Sequence, residues 1–377
     1  MHGESRSPAL ASDSKSYQRA KHSVELVSLV VAAFGLIAAA RFGPEIGRLI
    51  RQLVGENLWL RALVTGCFYA IALQILSLPF EFWSGFVLEH RYGLSNQSFW
   101  RWLWKEAKGW MLGAPLLIVI VLGLYTVLWF TGDWWWLVAA AGWLLLTLIL
   151  AKILPVLILP LFYKVTRLDD AALLGRLQRL AEGTGLGIEG VYKLHLSDET
   201  RKANAALAGL GKSRRVLLGD TLISEFTPEE IEVVFAHEVG HHVHRHLLQL
   251  IAMQVVLTTA GLWLASRVLA ATATRLGYPG PTDPSAFPLL LLVLLGFGLI
   301  LLPMKNAISR WFERQCDRYA LVRTGNADAY RSAFTKLGRL NKADAEPHPL
   351  LVWLLHDHPP IAQRIAAADR AIPTAAS

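Results

Sequence analysis

Six apolar stretches constrain this chain more than any other feature. They lie at about 24–40, 62–80, 111–130, 136–154, 247–268 and 287–303, each near the roughly 20 residues a helix needs to cross a bilayer. In hydrocarbon, backbone polar groups must be satisfied within the protein. The fold class is therefore mainly α: a multi-pass transmembrane helical bundle. Composition agrees, with 54% hydrophobic and only 18% charged residues, where soluble domains carry about a quarter. Trp100, Trp102, Trp104 and Trp110 precede the third stretch and Trp134, Trp135 and Trp136 open the fourth. That clustering reads as an interfacial aromatic belt. Residues 1–22 are polar without an apolar core, so they read as a polar cytoplasmic tail and not as a cleavable signal. Cys67 and Cys316 are the only cysteines, and Cys67 lies in an apolar run; a disulfide framework is excluded. The net charge of +8 comes without an Arg-rich tract interleaved with aromatics, so no nucleic-acid partner is expected.

Charge orients the bundle. The connection 131–135 carries Asp133 and no Lys or Arg, and the connection between the fifth and sixth spans carries Arg275 near its middle. The positive-inside rule places both away from the cytoplasm. Segment 81–108, with Arg91, Arg101, Lys105 and Lys108, and the tail, with Arg6, Lys15, Arg19 and Lys21, are then cytoplasmic. Arg41, Arg48, Arg51 and Arg61, between spans one and two, run against this assignment. Richness in Ala, Leu and Arg points to a GC-rich bacterial genome. The expected location is a bacterial inner membrane, with the polar domain facing the cytoplasm. The chain divides into a tail (1–22), four spans (23–162), a polar domain (163–246), two spans (247–304) and a C-terminal part of the polar domain (305–377).

Within the polar part, 169–183 has Leu173, Leu174, Leu177, Leu180 and Ala181 at helical spacing. Segment 188–196 alternates like a strand, 215–218 reads as a second strand, and 209–211 as a turn. Thr227, Pro228, Glu229 and Glu230 start a helix strongly, with an N-cap, Pro at the first position and acids in the first turn. That helix is expected to run straight into the fifth span. A further helix is expected over 306–325, and a short one after Pro359 and Pro360.

The chemistry lies in His237-Glu238-Val239-Gly240-His241. Two imidazoles four residues apart share one helix face and can bind a single Zn²⁺, while the Glu between them reaches the bound water. A bound zinc brings the pKa of water toward about 7. Glu238 would take the proton of the attacking water and pass it to the leaving amine. Catalytic zinc takes three protein ligands. One class supplies the third from a His six residues after the second; here that position is Leu247. His244 stays on the same face, but three histidines along one straight helix do not surround an ion. His242 and His246 read as solvent-facing or interfacial. Glu313, in Glu313-Arg314-Gln315-Cys316-Asp317, is the better third ligand. It lies just past the sixth span, as the histidines lie just before the fifth, and an antiparallel pair of spans returns both to one membrane face. Asp317, one turn on, could accept a hydrogen bond from a ligand histidine and fix its tautomer. Taken alone, the same residues would read as a solvated helix face with intrahelical pairs.

The order of segments along the chain resembles the type I CAAX prenyl protease family of multi-pass zinc metallopeptidases. The likeness runs over about 17–365. It rests on Glu89-His90-Arg91-Tyr92-Gly93-Leu94-Ser95-Asn96, Pro160-Leu161-Phe162, Lys202-Ala203-Asn204-Ala205, Gly209-Leu210-Gly211-Lys212 with Asp220-Thr221-Leu222, the His237–His241 motif, Glu313 to Asp317, and His358-Pro359-Pro360 to Arg364-Ile365. The resemblance implies transmembrane helices around a chamber, capped by a zincin-like α+β protease domain with a small sheet. It implies one Zn²⁺ per chain and peptide or protein substrates, prenylated or otherwise membrane-associated. Asn204 and Ala205 then correspond to an edge strand that pairs with the substrate backbone, and His358 and Arg364 to residues near the scissile bond or the substrate terminus. Family members often have seven spans against the six counted here, and Cys316 stands where Ala is common. Two other readings compete. One is a quality-control metalloprotease of the heat-shock membrane type, whose chains are shorter and lack the His-Pro-Pro segment. The other is a non-catalytic membrane chaperone, which the intact Glu238 disfavours.

Overall fold

The structure, a computed structural model, describes residues 8–186, 190–209 and 215–371. Among them six helical segments are long and apolar enough to cross a membrane: Asp13–Val54, Leu58–Arg91, Phe99–Phe130, Gly132–Phe162, His246–Thr272 and Pro284–Thr324. They carry the six apolar stretches in order. The first four are built from α1 (Pro8–Val54), α2 (Leu58–Phe82) with α3 (Leu88–Arg91), α4 (Phe99–Phe130), and α5 (Trp135–Ile153) with α6 (Leu159–Phe162). Five-residue π turns join α2 to α3 and α5 to α6. Polar caps start two of these helices: Asn57 accepts from the Leu60 N–H and Ser98 from the Arg101 N–H.

Three elements depart from expectation. The helix α1 begins at Pro8, so the described part of the polar tail is continuous with the first span. Hydropathy sees only the apolar stretch, while the extra turns are held by tertiary contacts. Tyr17 is buried, donating to Glu89 Oε1 at 2.5 Å and accepting from Lys202 Nζ at 3.0 Å. Second, the sixth span does not hand over to a separate helix at 306. The helix α11 runs unbroken over Phe287–Thr324, through Pro303, and ends at Gly325 with φ +62°. Third, the helix after Thr227 does not run straight into the fifth span. The helix α9 (Pro228–Val243) stops, Arg245 takes φ +56°, and α10 (His246–Thr272) starts afresh. A non-glycine residue in that region costs about 1–2 kcal/mol, so surrounding structure imposes the break.

Spans pack closely where side chains are small; a Cβ on Gly66 would lie 2.7 Å from Val121 Cγ1. Arg61, one of the charges that ran against the orientation rule, is buried and paired with Asp283 Oδ2 at 2.6 Å. Its charge is thus neutralised from the connection between the last two spans. Between α4, α5, α10 and α11 lies an apolar cavity of about 770 Å³ whose few polar residues are Gln254, Thr258 and Lys305. Both cysteines are free.

The polar part holds β1 (Val165–Arg167), α7 (Ala171–Ala181), β2 (Gly190–Leu194), β3 (Ala205–Ala208), β4 (Arg215–Gly219), α8 (Asp220–Glu225), α9, α12 (Ala327–Leu340), α13 (Pro349–Leu355) and α14 (Ile361–Ala371). The sheet order is β1-β2-β4-β3, with β2 and β4 parallel and the outer pairs antiparallel. The strand expected over 188–196 starts, among the described residues, at Gly190; the expected turn lies outside them from Leu210 on, as does Lys212. Asp170 caps α7, and Thr227 with Glu230 forms a full capping box on α9. Val216 and Leu218 of β4, Phe235 and Val239 of α9, Ala320 of α11, and Tyr330 and Phe334 of α12 share one buried core. That core locks α9 against α11, the pair on which the site is built.

Candidate active site

His237 and His241 lie one turn apart on α9 with ring centroids 5.2 Å apart. The helix α11 crosses them closely because Gly240 has no side chain: a Cβ there would lie 3.0 Å from Cys316 Cα. This approach brings Glu313 between the two imidazoles. Its Oε2 is 3.2 Å from His237 Nε2 and its Oε1 is 3.3 Å from His241 Nε2. Glu313 is buried, and its Oε2 makes no hydrogen bond. A buried carboxylate oxygen without a hydrogen bond is costly, and here it lies against His237 Nε2. Two imidazole nitrogens with a carboxylate between them are a donor set that fits a first-row divalent cation.

Behind the histidines the site is tied down. His237 Nδ1 is 3.0 Å from Asp317 Oδ1, and Arg364 donates to Asp317 Oδ2 from Nε at 2.9 Å and to Oδ1 from Nη2 at 2.5 Å. The guanidinium of Arg364 lies over the Phe334 ring, 3.9 Å from its centroid. Burial disfavours the charged form of His237, but its contacts with Asp317 and Glu313 outweigh this and push its pKa up to about 9.

A pocket of about 350 Å³ opens on this centre, lined by Asn204, Ala205, Glu238, Glu313, His358 and Arg364 among others. Glu238 is half-buried in its wall. His358 Nε2 is 3.5 Å from Glu313 Oε1, and its pKa is raised chiefly by the hydrogen bond to Asp357. The edge strand β3 runs along the same pocket. Asn204 O accepts from Gly219 N at 2.9 Å, so Asn204 faces β4. In an antiparallel ladder the residues on either side then turn outward. The outward groups of Ala203 are taken by the side-chain amide of Asn341, at 3.1 and 3.2 Å. Those of Ala205 face away from β4.

The structure brings together every residue singled out in the sequence, with two differences. Arg364 lines the pocket, but its guanidinium is engaged with Asp317 and lies 3.3 Å from His237 Nδ1. His246, expected to be solvent-facing or interfacial, is buried against Phe312, because the break at Arg245 turns it inward. Asn341 and Gln18, which also line the pocket, carry no motif and come from distant segments. Cys316 offers a competing third donor, since its sulfur, His237 and His241 have donor atoms within 4.8 Å of one another. The Nε2 atoms of both histidines face Glu313, however, whereas Cys316 Sγ lies 3.5 Å from His246 Nδ1.

This constellation of fold and centre has relatives. The profile of peptidase family M48 matches residues 167–372, and that of the CAAX prenyl protease N-terminal region, five membrane helices, matches residues 4–164. The chain belongs to peptidase family M48. It is accordingly a membrane metalloendopeptidase with a metal cofactor. CAAX prenyl protease 1 homolog of Arabidopsis thaliana is 32% identical over 308 residues, covering 78% of this chain and 70% of the relative. Uncharacterized metalloprotease YhfN of Bacillus subtilis is 28% identical over 309 residues, covering 80% and 71%. The crystal structure of S. mikatae Ste24p superposes with a TM-score of 0.84 at 23% identity, covering 96% of this chain and 89% of that one; the fold is shared throughout. In the stretch matched to five membrane helices, this M48 peptidase has four candidate spans among the described residues.

Proposed function

We propose that this peptidase is a zinc endopeptidase of a bacterial inner membrane that cleaves membrane-associated peptides, prenylated ones among them, on the cytoplasmic face. The observation that carries the reading is the buried Glu313 carboxylate, which sets Oε2 against His237 Nε2 and Oε1 against His241 Nε2. His237, His241 and Glu313 would hold the zinc, and Asp317 would keep His237 in the tautomer that presents Nε2. When bound there, zinc supplies Lewis-acid activation of water and of the peptide carbonyl. Glu238 takes the proton of the attacking water and delivers it to the departing amine. Ala205 offers its outward N–H and C=O to an extended substrate, with Asn204 beside it, and pairing through the main chain tolerates varied sequences. His358 faces the reacting bond, and Arg364 holds Asp317 in place while lining the pocket. Relatives named CAAX prenyl protease and the apolar cavity in the bundle support an apolar, membrane-borne substrate.

The test compares a farnesylated C-terminal peptide with its unprenylated counterpart, using the detergent-solubilised protein. Cleavage should stop with a chelator and return with Zn²⁺, and the prenylated peptide should be favoured about tenfold or more. Equal rates would remove the prenyl preference; chelator-resistant cleavage would remove the metal reading. In the same assay Ala205→Pro should lower kcat/KM at least about tenfold with zinc content unchanged, since Pro deletes only an outward-facing donor. Asn204→Ala should raise KM. If Ala205→Pro is silent on every peptide, the strand does not pair with substrate.

For orientation, a cysteine placed at Gly132 should be labelled by an impermeant reagent from outside intact cells. One placed at the exposed Asp328 should react only after permeabilisation. Labelling at position 328 from outside would invert the assignment.

A further inference from the structure

The centre described above leaves one buried polar side chain unused. His246 is 1% exposed, and its ring stacks on Phe312 with centroids 4.1 Å apart and planes at 17°. Its Nε2 meets one partner and its Nδ1 two, the second being Cys316 Sγ at 3.5 Å. Nε2 lies 2.8 Å from Gln315 Oε1, and Nδ1 lies 3.1 Å from His241 Nδ1. The protons of this chain follow from the chemistry of the groups. An amide oxygen only accepts, so His246 Nε2 carries the hydrogen. In a neutral imidazole the other nitrogen is then an acceptor; the Cys316 thiol, 3.5 Å away, is a weak donor, and the shorter contact, at 3.1 Å, assigns the donated proton to His241 Nδ1. His241 Nε2 is left with a free lone pair, on the side where Glu313 Oε1 lies at 3.3 Å.

We propose that His246, itself oriented by Gln315, is a positioning residue that fixes the tautomer and ring angle of His241 for metal binding. The proposal rests on the reading of His241 as a ligand. It gives each histidine of the motif its own outer support: Asp317 from α11 for His237, and His246 with Gln315 for His241. The two supports differ in charge. The Asp317 carboxylate is itself neutralised by Arg364, whereas the chain behind His241 is built from neutral groups.

The break between α9 and α10 makes this contact possible. Along an unbroken helix, five residues turn by about 500°, which would put His246 roughly 140° away from His241. The left-handed Arg245 (φ 56°, ψ 32°) resets the helix so that His246, the first residue of α10, folds back beneath His241. The strained residue thus sits at the one point in the chain where straightening would remove the support.

The experiment uses full-length, detergent-solubilised protein stripped of metal, with Zn²⁺ titrated against a chromophoric chelator. The visible spectrum of the Co²⁺-loaded protein is recorded in parallel. His246→Phe keeps the stacking on Phe312 and removes the acceptor. It should weaken Zn²⁺ binding about 10–100-fold and alter the Co²⁺ bands. His246→Asn, which can place an amide oxygen near the position of Nδ1, should recover affinity to within about threefold. Gln315 is only half-buried, so Gln315→Leu should fold as the parent does while weakening Zn²⁺ several-fold; Gln315→Glu, which keeps an acceptor, should not. Parental affinity in His246→Phe overturns the proposal. So does equal weakness of the Phe and Asn variants, or an unchanged Gln315→Leu, because the role would then be packing. His241→Ala distinguishes the two levels: retention of tight Zn²⁺ there would mean His241 is not a ligand, whatever His246 does.

Discussion

Replacing Glu238 with Ala should leave a folded protein that binds about one zinc per chain and has lost three or more decades of kcat. Glu238 lies on α9 between the two histidines and lines the pocket, while it is the Glu313 carboxylate that lies against both imidazoles. A group that moves a proton but holds no metal affects the chemical step and not the assembly of the site. Fold is insulated as well, since α9 is held by its capping box and by Phe235 and Val239 in the core. Metal content by elemental analysis and single-turnover cleavage separate the two effects. Glu238→Gln should behave alike, because the amide keeps the shape and lacks the basicity. Loss of zinc in proportion to activity would assign Glu238 to the metal and refute its role as base.

Glu313→Ala should abolish tight metal binding, and Asp317→Ala should weaken it by roughly 10–100-fold. The difference follows from position. Glu313 supplies the carboxylate that faces both Nε2 atoms. Asp317 touches only the far nitrogen of His237, so its loss frees the ring to turn without removing a donor. It also strands Arg364, whose partner is buried with it, so a fall in stability should accompany the metal defect. Full zinc occupancy in Glu313→Ala would refute the ligand assignment. Cys316 is the residue to examine next in that event, with Cys316→Ala as the discriminating variant. If Cys316→Ala binds zinc as the parent does, the sulfur is packing between α9 and α11 and nothing more.

The sequence by itself determined the features that depend on local spacing. Apolar runs near span length can only be helices in hydrocarbon, and the six stretches returned as six candidate spans. A Thr-Pro-Glu-Glu start caps a helix wherever it sits, and a four-residue repeat puts His237 and His241 on one face of it. The pairing of Glu313 with that face was legible because two consecutive spans must return the chain to the side it left. Tertiary structure alone decided what depends on distant contacts. That α1 reaches ahead of the apolar stretch goes with Tyr17 meeting Glu89 and Lys202, which no hydropathy pattern records. Where α9 ends is set by a left-handed residue, Arg245, that has no glycine to announce it, and the fate of His246 follows from that single torsion. Asn341, 138 residues away in sequence from the Ala203 groups it binds, carries no signal at all until the sheet edge and α12 are brought together. Local periodicity is a property of neighbours in the chain; the support around the two histidines is a property of neighbours in space.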